Sequence, residues 1–280
     1  MRPEFRLPVA FALLISAGPG ALAEREEASV TFGTGAFYST GNYGFEDSTD
    51  ILRLPVWTSL ATGRFTFSAE LPWLTAEGPA DAANATRLGD TASRFPRLAS
   101  RRDEQPGADS VSGIGDASFA ATLRLTPDSA PTWAGLTFVA TAPTGDESEG
   151  LGTGASDLSA EFGLEQRLGD FALYGSAGYV WPGNPGDEPA EPDTDPIVLE
   201  DYSFAALGAR YFVLSGQSFG SGISWTESYH PELEDVMEAS LSWEFPVSPN
   251  LRMGTFVSKG IAGEGKDFGI GMSLSFTPTH

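Results

Sequence analysis

From Phe268 to Phe276 the chain alternates without exception. Phe268, Ile270, Met272, Leu274 and Phe276 are separated by Gly269, Gly271, Ser273 and Ser275. A strict period of two puts the first set on one face of a β-strand and the second on the other. One face is apolar and the other small and polar. The code recurs upstream: Met237, Ala239, Leu241, Trp243 and Phe245 oppose Glu238, Ser240, Ser242 and Glu244. Leu158, Ala160, Phe162, Leu164 and Leu168 oppose Ser159, Glu161, Gly163, Glu165 and Arg167. Ala117, Phe119, Ala121, Leu123 and Leu125 oppose Asp116, Ser118, Ala120, Thr122 and Arg124.

Read this way, the sequence predicts about twelve strands, near 28–38, 51–60, 64–74, 114–126, 132–143, 157–168, 171–181, 202–214, 218–229, 235–246, 251–260 and 267–276. Most are longer than the roughly 5–6 residues of a typical globular strand. They match the roughly 9–11 residues that a tilted strand needs to cross a bilayer. The runs at 132–143 and 202–214 carry apolar residues in both phases, so their facing is open by one residue.

The gaps alternate between long and short. Thr40–Asp50, Thr75–Ser112, Thr144–Ser156 and Pro182–Glu200 are long and polar, whereas Ala61–Gly63, Pro127–Pro131, Gly169–Asp170 and Ser215–Gln217 are short. Long loops at one end and tight turns at the other define an all-β, antiparallel, up-and-down transmembrane barrel. Its turns are periplasmic and its loops extracellular. An even strand count places both termini on the turn side. Tyr38, Trp57, Trp73, Trp133, Tyr179, Trp181, Tyr202, Tyr211, Trp225, Tyr229 and Trp243 fall near strand ends, as interfacial girdles would place them.

Residues 1–23 read as a signal peptide. Arg2 and Arg6 precede the short apolar run Leu7–Ile15, and Ala21-Leu22-Ala23 fits a small-residue cleavage site before Glu24. The barrel domain is then 24–280. No run is long enough for a spanning helix. The formal net charge is −22, which argues against a nucleic-acid partner, since phosphates are met by Lys and Arg. There are no cysteines, which excludes a disulfide-stapled domain.

If the apolar phase meets lipid, Arg53, Glu70, Asp116, Arg124, Glu161, Glu165, Arg167, Arg210, Glu227, Glu238, Glu244 and Arg252 point into the lumen. Charges facing lipid would cost about 2–4 kcal/mol for Arg or Lys at the midplane. Inside, such charges either tune the selectivity of a channel or form Arg–carboxylate ladders that fill a closed barrel. The long 75–112 gap holds Arg87, Arg94, Arg97, Arg101 and Arg102. It reads as a constriction folded into the mouth, a contact for lipopolysaccharide phosphates, or an exterior loop.

Enzymatic readings are weaker. The two histidines are His230, in a loop, and His280, at the end of the chain; neither forms a nucleophile–base pair. Two distant histidines do not make a zinc site, and no cofactor is expected. The acidic groups Asp146, Glu147, Glu149 and Asp157, and the Asp187–Asp195 run, read as solvated loops, with bridging of divalent cations at a lipopolysaccharide surface as a lesser role.

One stretch carries a family likeness. Gly113-Ile114-Gly115-Asp116 opens a strand, Ala142-Pro143-Thr144-Gly145-Asp146 follows the next, and Gly150, Gly152 and Gly154 lead to Asp157-Leu158. This resembles the outer-membrane proteins grouped as the MetA pathway of phenol degradation, labelled as transporters. The resemblance implies a bacterial outer-membrane β-barrel that passes small hydrophobic or aromatic solutes. Phe276 stands where the barrel-assembly machinery reads a terminal aromatic, although Thr277–His280 follow it. The expected function is passive passage of a small solute through the barrel. A closed structural or adhesion barrel acting through its acidic loops is the alternative, and a lipid-modifying enzyme ranks below both.

Overall fold

A computed structural model describes residues 28–43, 48–78, 110–183, 200–213, 215–228, 234–263 and 265–278. Residues 1–27, with the expected signal peptide, and 79–109, with the five loop arginines, lie outside the described residues, as do His230 and His280. The strands are β1 (Ser29–Gly41), β2 (Thr49–Thr62), β3 (Phe65–Glu77), β4 (Ser110–Ile114), β5 (Ala117–Arg124), β6 (Thr132–Ala142), β7 (Asp157–Leu168), β8 (Phe171–Trp181), β9 (Tyr202–Phe212), β10 (Ser218–Thr226), β11 (Val236–Ser248), β12 (Leu251–Ala262) and β13 (Lys266–Phe276).

Apart from β4 and β5, which both pair with β3, each strand pairs antiparallel with its sequence neighbours, and β1 pairs with β13, so the sheet closes on itself. Closure leaves no edge of unpaired backbone groups, which a wall in hydrocarbon requires. β4 and β5 are two parts of one wall strand, both paired to β3, so the barrel has 12 strands. Tight turns join strands at the periplasmic end; Gly63 and Gly169 take positive φ there (53° and 67°), a conformation open to glycine at no steric cost.

The two faces follow the alternation. Leu207 (69% exposed), Phe138 (57%), Leu158, Phe162, Leu241, Ile270 and Leu274 stand on the outside. Glycines, serines, threonines and most of the charges stand inside. Tyr38, Tyr179, Trp181 and Tyr211 are outward and near strand ends, as girdle residues would be, whereas Trp73 and Trp243 are outward but nearer the middles of β3 and β11.

Three features depart from the sequence expectation. Trp57, Trp133 and Tyr202 are not girdle residues: they share the inward phase of Ser59, Thr137 and Phe204. Glycine makes room for two of them. A Cβ on Gly33 would sit 2.0 Å from the Trp57 indole, and one on Gly135 2.7 Å from Trp133. The expected strand at 114–126 is broken at Gly115–Asp116, because Asp116 turns to bond a loop. The 75–112 gap is shorter than expected, since β3 continues to Glu77 and β4 begins at Ser110.

The break has a counterpart on the other side of the same wall. Pro55 and Pro72 face each other across β2 and β3. Neither offers an N–H to the ladder. The β1–β2 pairing lapses beside Pro55, between Thr34↔Val56 and Phe37↔Arg53. The Thr34 hydroxyl donates to the Pro55 carbonyl there (2.9 Å), and Gly115 N–H donates to the Pro72 carbonyl (2.9 Å).

Candidate lumen site

The barrel interior is layered. At the extracellular mouth, Tyr43, Ile51, Leu74 and Ala76 form an apolar cluster with Leu151, and Val111 packs against it. Leu151 comes from the Gly-rich segment between β6 and β7, so this loop folds into the mouth. The fit is close: a Cβ on Gly113 would lie 2.7 Å from the Leu151 side chain. Asp116 holds the loop from below. Its Oδ1 accepts from Gly145 N–H (3.0 Å), and its Oδ2 accepts from Thr153 N–H (2.9 Å) and the Thr153 hydroxyl (3.2 Å). The Asp146 carboxyl, in the same loop, is held below its ordinary value by hydrogen bonds from the Ser148 hydroxyl and N–H.

Beside this layer the charges pair. Lys266 Nζ meets Glu238 Oε2 at 3.0 Å, both side chains being almost wholly buried. Arg53 is ion-paired with Glu70, again buried, and its guanidinium lies 5.8 Å from the Phe37 ring centre. Phe37 in turn stacks on Phe256 (5.6 Å, 28°). Gly271 lies between them in the sheet, and a Cβ on it would be 2.4 Å from Phe37 and 2.5 Å from Phe256. An aromatic shelf therefore stands inside the barrel, set against a buried ion pair. Burial of opposite charges is tolerated where each finds its partner.

Toward the periplasmic end, Glu165, Tyr174, Arg210 and Phe212 are buried on β7, β8 and β9. Phe212 is flanked by two guanidiniums, Arg167 at 4.6 Å and Arg210 at 5.9 Å from its centre. Glu161 is buried two inward steps above Glu165, with Gly163 between them. Glu244 and Arg252 share the inward phase of Glu238 and Phe256, and Arg252 donates to the Gly216 carbonyl (3.2 Å).

Arg124, in the inward phase of Ser118 and Thr122 at the end of β5, pairs with Asp128 in the periplasmic turn. Two of the twelve charges expected in the lumen have other positions. Asp116 sits in the gap between β4 and β5 and holds the mouth loop. Glu227 lies beyond the end of β10, in the outward phase of Ile223 and Trp225, and accepts from Ser203 N–H at the rim (2.9 Å). A charge there is above the hydrocarbon, so facing outward costs little. Two buried charges were missed from sequence. Asp157, read as part of a solvated loop, opens β7 in the inward phase of Ser159 and accepts from Gly183 N–H (2.9 Å). The other is Lys266, whose signal was its parity with Phe268. Lys266 and Phe268 share the apolar phase of β13, and pairing shifts locally between Thr40 and Gly41 opposite Lys266. Tyr174, Phe37 and Phe256 were also missed, although each shares its phase with glycine or a charge.

Among the described residues no helix is long and apolar enough to cross a membrane, and no group of acidic or histidine residues is arranged to hold a metal. The spans are strands, and the molecule has the fold of outer-membrane channels and porins. The COG4313 outer membrane channel from Pseudomonas putida F1 superposes with a TM-score of 0.65 at 15% identity, covering 92% of this chain and 100% of that one. The KdgM porin gives 0.51 at 8% identity, covering 89% and 99%. A search of the curated proteins gives no match. The family model described as "Putative MetA-pathway of phenol degradation" matches residues 33–279, and the chain belongs to that family.

Proposed function

We propose that this barrel is a passive outer-membrane channel for small aromatic solutes. The observation that carries this reading is the Phe37–Phe256 shelf inside the lumen, beside the neutralised Arg53–Glu70 pair. Stacked rings on the inner wall present an apolar face that an ion does not use. A solute with a flat apolar face gains by stacking there, by about 0.5–1.5 kcal/mol beyond its area burial. Membership of a family described by phenol degradation agrees with this chemistry.

The mouth is closed on one side by Leu151 and its apolar neighbours, so the path is narrow and selects by size and polarity rather than by charge alone. On this reading Glu24 begins the exported chain, and the outward aromatic bands meet membrane lipid and lipopolysaccharide. Phe276, exposed on the outer face at the end of β13, is the residue offered to the assembly machinery. Five arginines between 87 and 102 stand ready to narrow the mouth further or to meet lipopolysaccharide phosphates.

The test is uptake of radiolabelled aromatic solutes into vesicles whose outer leaflet is lipopolysaccharide, with and without the barrel. Plain phospholipid vesicles leak small aromatics and do not discriminate. Barrel-dependent uptake of an aromatic solute, with little uptake of a disaccharide, supports the reading. Faster disaccharide than aromatic uptake overturns it.

A further inference from the structure

The outer wall is not evenly convex. From β10 round through the β13–β1 seam to β2 it carries a groove of about 660 Å³, within the roughly 300–1,000 Å³ typical of small-molecule sites. Pairing sets Ala36, Met272, Thr255, Trp243 and Phe219 in one outward row across these strands. Ala36 and Thr255 are short and make the floor. On one side the stacked Phe219 and Trp243 rings (5.9 Å, 4°) stand up as a ridge. On the other side stand Tyr38 and Leu52, both exposed. The polar atoms nearby are turned elsewhere. The Thr255 hydroxyl donates to the Trp243 carbonyl in the wall (3.4 Å), the Tyr38 hydroxyl to Asp50 (2.9 Å) and Trp243 Nε1 to Gln217 (3.2 Å). The groove therefore presents hydrocarbon along its length.

A cation stands directly above it. Lys259 follows Val257 in the outward phase of β12, opposite Ala239 on β11 and Phe268 on β13, and the strand ends at Ala262. Among the described residues two cations are exposed: Arg64, in a periplasmic turn, and Lys259, at the loop end. The exposed charges at the neighbouring loop ends are acidic, Asp235 before β11 and Asp267 in β13. A lysine so placed lays its stem along the apolar wall and carries its ammonium up to the headgroups, where an outward charge costs little.

We infer that the groove and Lys259 form a binding site for a phosphate-bearing, acylated glycolipid of the outer leaflet. One acyl chain lies in the groove and a headgroup phosphate meets the ammonium. The loop end of the barrel faces the leaflet built of lipopolysaccharide, so the lipid A anchor is the amphiphile at hand. A chain that fills the groove gains the contacts that a void beside the wall would forfeit, and the cation selects the charge of the headgroup. A second barrel is the other apolar occupant. A two-fold pair sets the same patch against itself, and two facing grooves leave a void rather than fill one. The site is on the outer wall and does not depend on what the lumen passes.

The test is native mass spectrometry of the full barrel released from detergent micelles. Bisphosphorylated lipid A, its dephosphorylated form and phosphatidylethanolamine are added in turn. The site predicts lipid A bound tighter than either of the others. Lys259→Gln should weaken lipid A about fivefold, the worth of one lysine at an anionic headgroup, and leave the dephosphorylated form unchanged. Thr255→Trp fills the floor and should weaken both forms. Arg64→Gln, at the opposite end, should change neither. Folding is checked by heat-modifiable gel migration; if Thr255→Trp does not fold, Ala36→Leu narrows the same floor and should act in the same way. Lipid A bound equally by the wild type and folded Lys259→Gln overturns the site, as does equal binding by the folded floor variant. Phosphatidylethanolamine bound as tightly as lipid A also overturns it. Wild-type dimers that the floor variant dissolves would give the groove to a second copy and overturn the lipid site.

Discussion

Truncating Leu151 to alanine should release the loop that folds into the mouth. The side chain is 2% exposed and packs on Ile51, Leu74, Ala76 and Tyr43. Leu→Ala at a buried site costs about 2–5 kcal/mol. The barrel wall does not depend on this contact, so the loss falls on loop docking rather than on the fold. Docking is what shields the amides of Gly145 and Thr153, whose N–H groups are held by Asp116. Taking the lower figure of about 2 kcal/mol, and about 1.4 kcal/mol per factor of ten, their hydrogen exchange should quicken roughly thirtyfold. Amides in the middle of β7, such as that of Phe162, should exchange as before. Native-state exchange read by mass spectrometry on reconstituted protein makes the comparison directly. A change under about threefold at Gly145 and Thr153, with the barrel still folded, would falsify the claim that Leu151 anchors the loop.

Other outcomes follow from the same packing. Gly271→Val should force the Phe37–Phe256 stack apart and cost about 1–3 kcal/mol by overpacking, read as a lower urea midpoint for unfolding from lipid vesicles. Phe138→Arg, at a strongly exposed outward site in the middle of β6, should cost about 2–4 kcal/mol and reduce the heat-modifiable folded band; the inward neighbour change Thr137→Ser should not. Glu70→Ala removes the carboxylate facing buried Arg53. It should destabilise the barrel by about 3–5 kcal/mol, while Arg53→Met/Glu70→Leu comes near to neutral; equal losses in both variants would argue against the pair. Asp146 has a lowered pKa through its bonds from Ser148. Its contribution to the loop is therefore present above the ordinary value of 3.8 and is lost as pH falls through the lower folded value. The Ser148 amide resonance should move in that acid range and stay still between pH 5 and pH 8.

Much of the wall was legible because a membrane barrel shows the period of two in long strands. Leu158, Phe162 and Leu164 stand outside and Glu161 and Glu165 inside, as their alternation requires. What the alternation could not show was an aromatic residue on the inner face. Phe37, Trp57 and Trp133 look like lipid contacts when read one strand at a time. Their inward places depend on glycines across the pairing, Gly271 for Phe37 and Gly33 for Trp57, or within the same strand, Gly135 for Trp133. The two cross-strand cases need the register, which the single-strand pattern does not supply. Asp116 shared the inward parity of its strand and so read as a lumen charge; the strand breaks at that residue because three loop groups compete for its carboxylate. Glu227 failed for a simpler reason, since parity carries no information once the strand has ended. Leu151 was hidden in a Gly-rich loop whose composition reads as solvated. A lone large apolar residue flanked by Gly150 and Gly152 was the available sign that the loop turns back to bury something.

Conduction of aromatic solutes by the lumen is read from their uptake across a lipopolysaccharide-faced membrane. Vesicles carrying the barrel should take up radiolabelled p-cresol faster than empty vesicles, and Gly271→Val, which disturbs the Phe37–Phe256 shelf, should reduce that difference. Uptake equal to that of empty vesicles, from protein shown to be folded by its gel migration, would contradict the account and leave a closed structural barrel in its place.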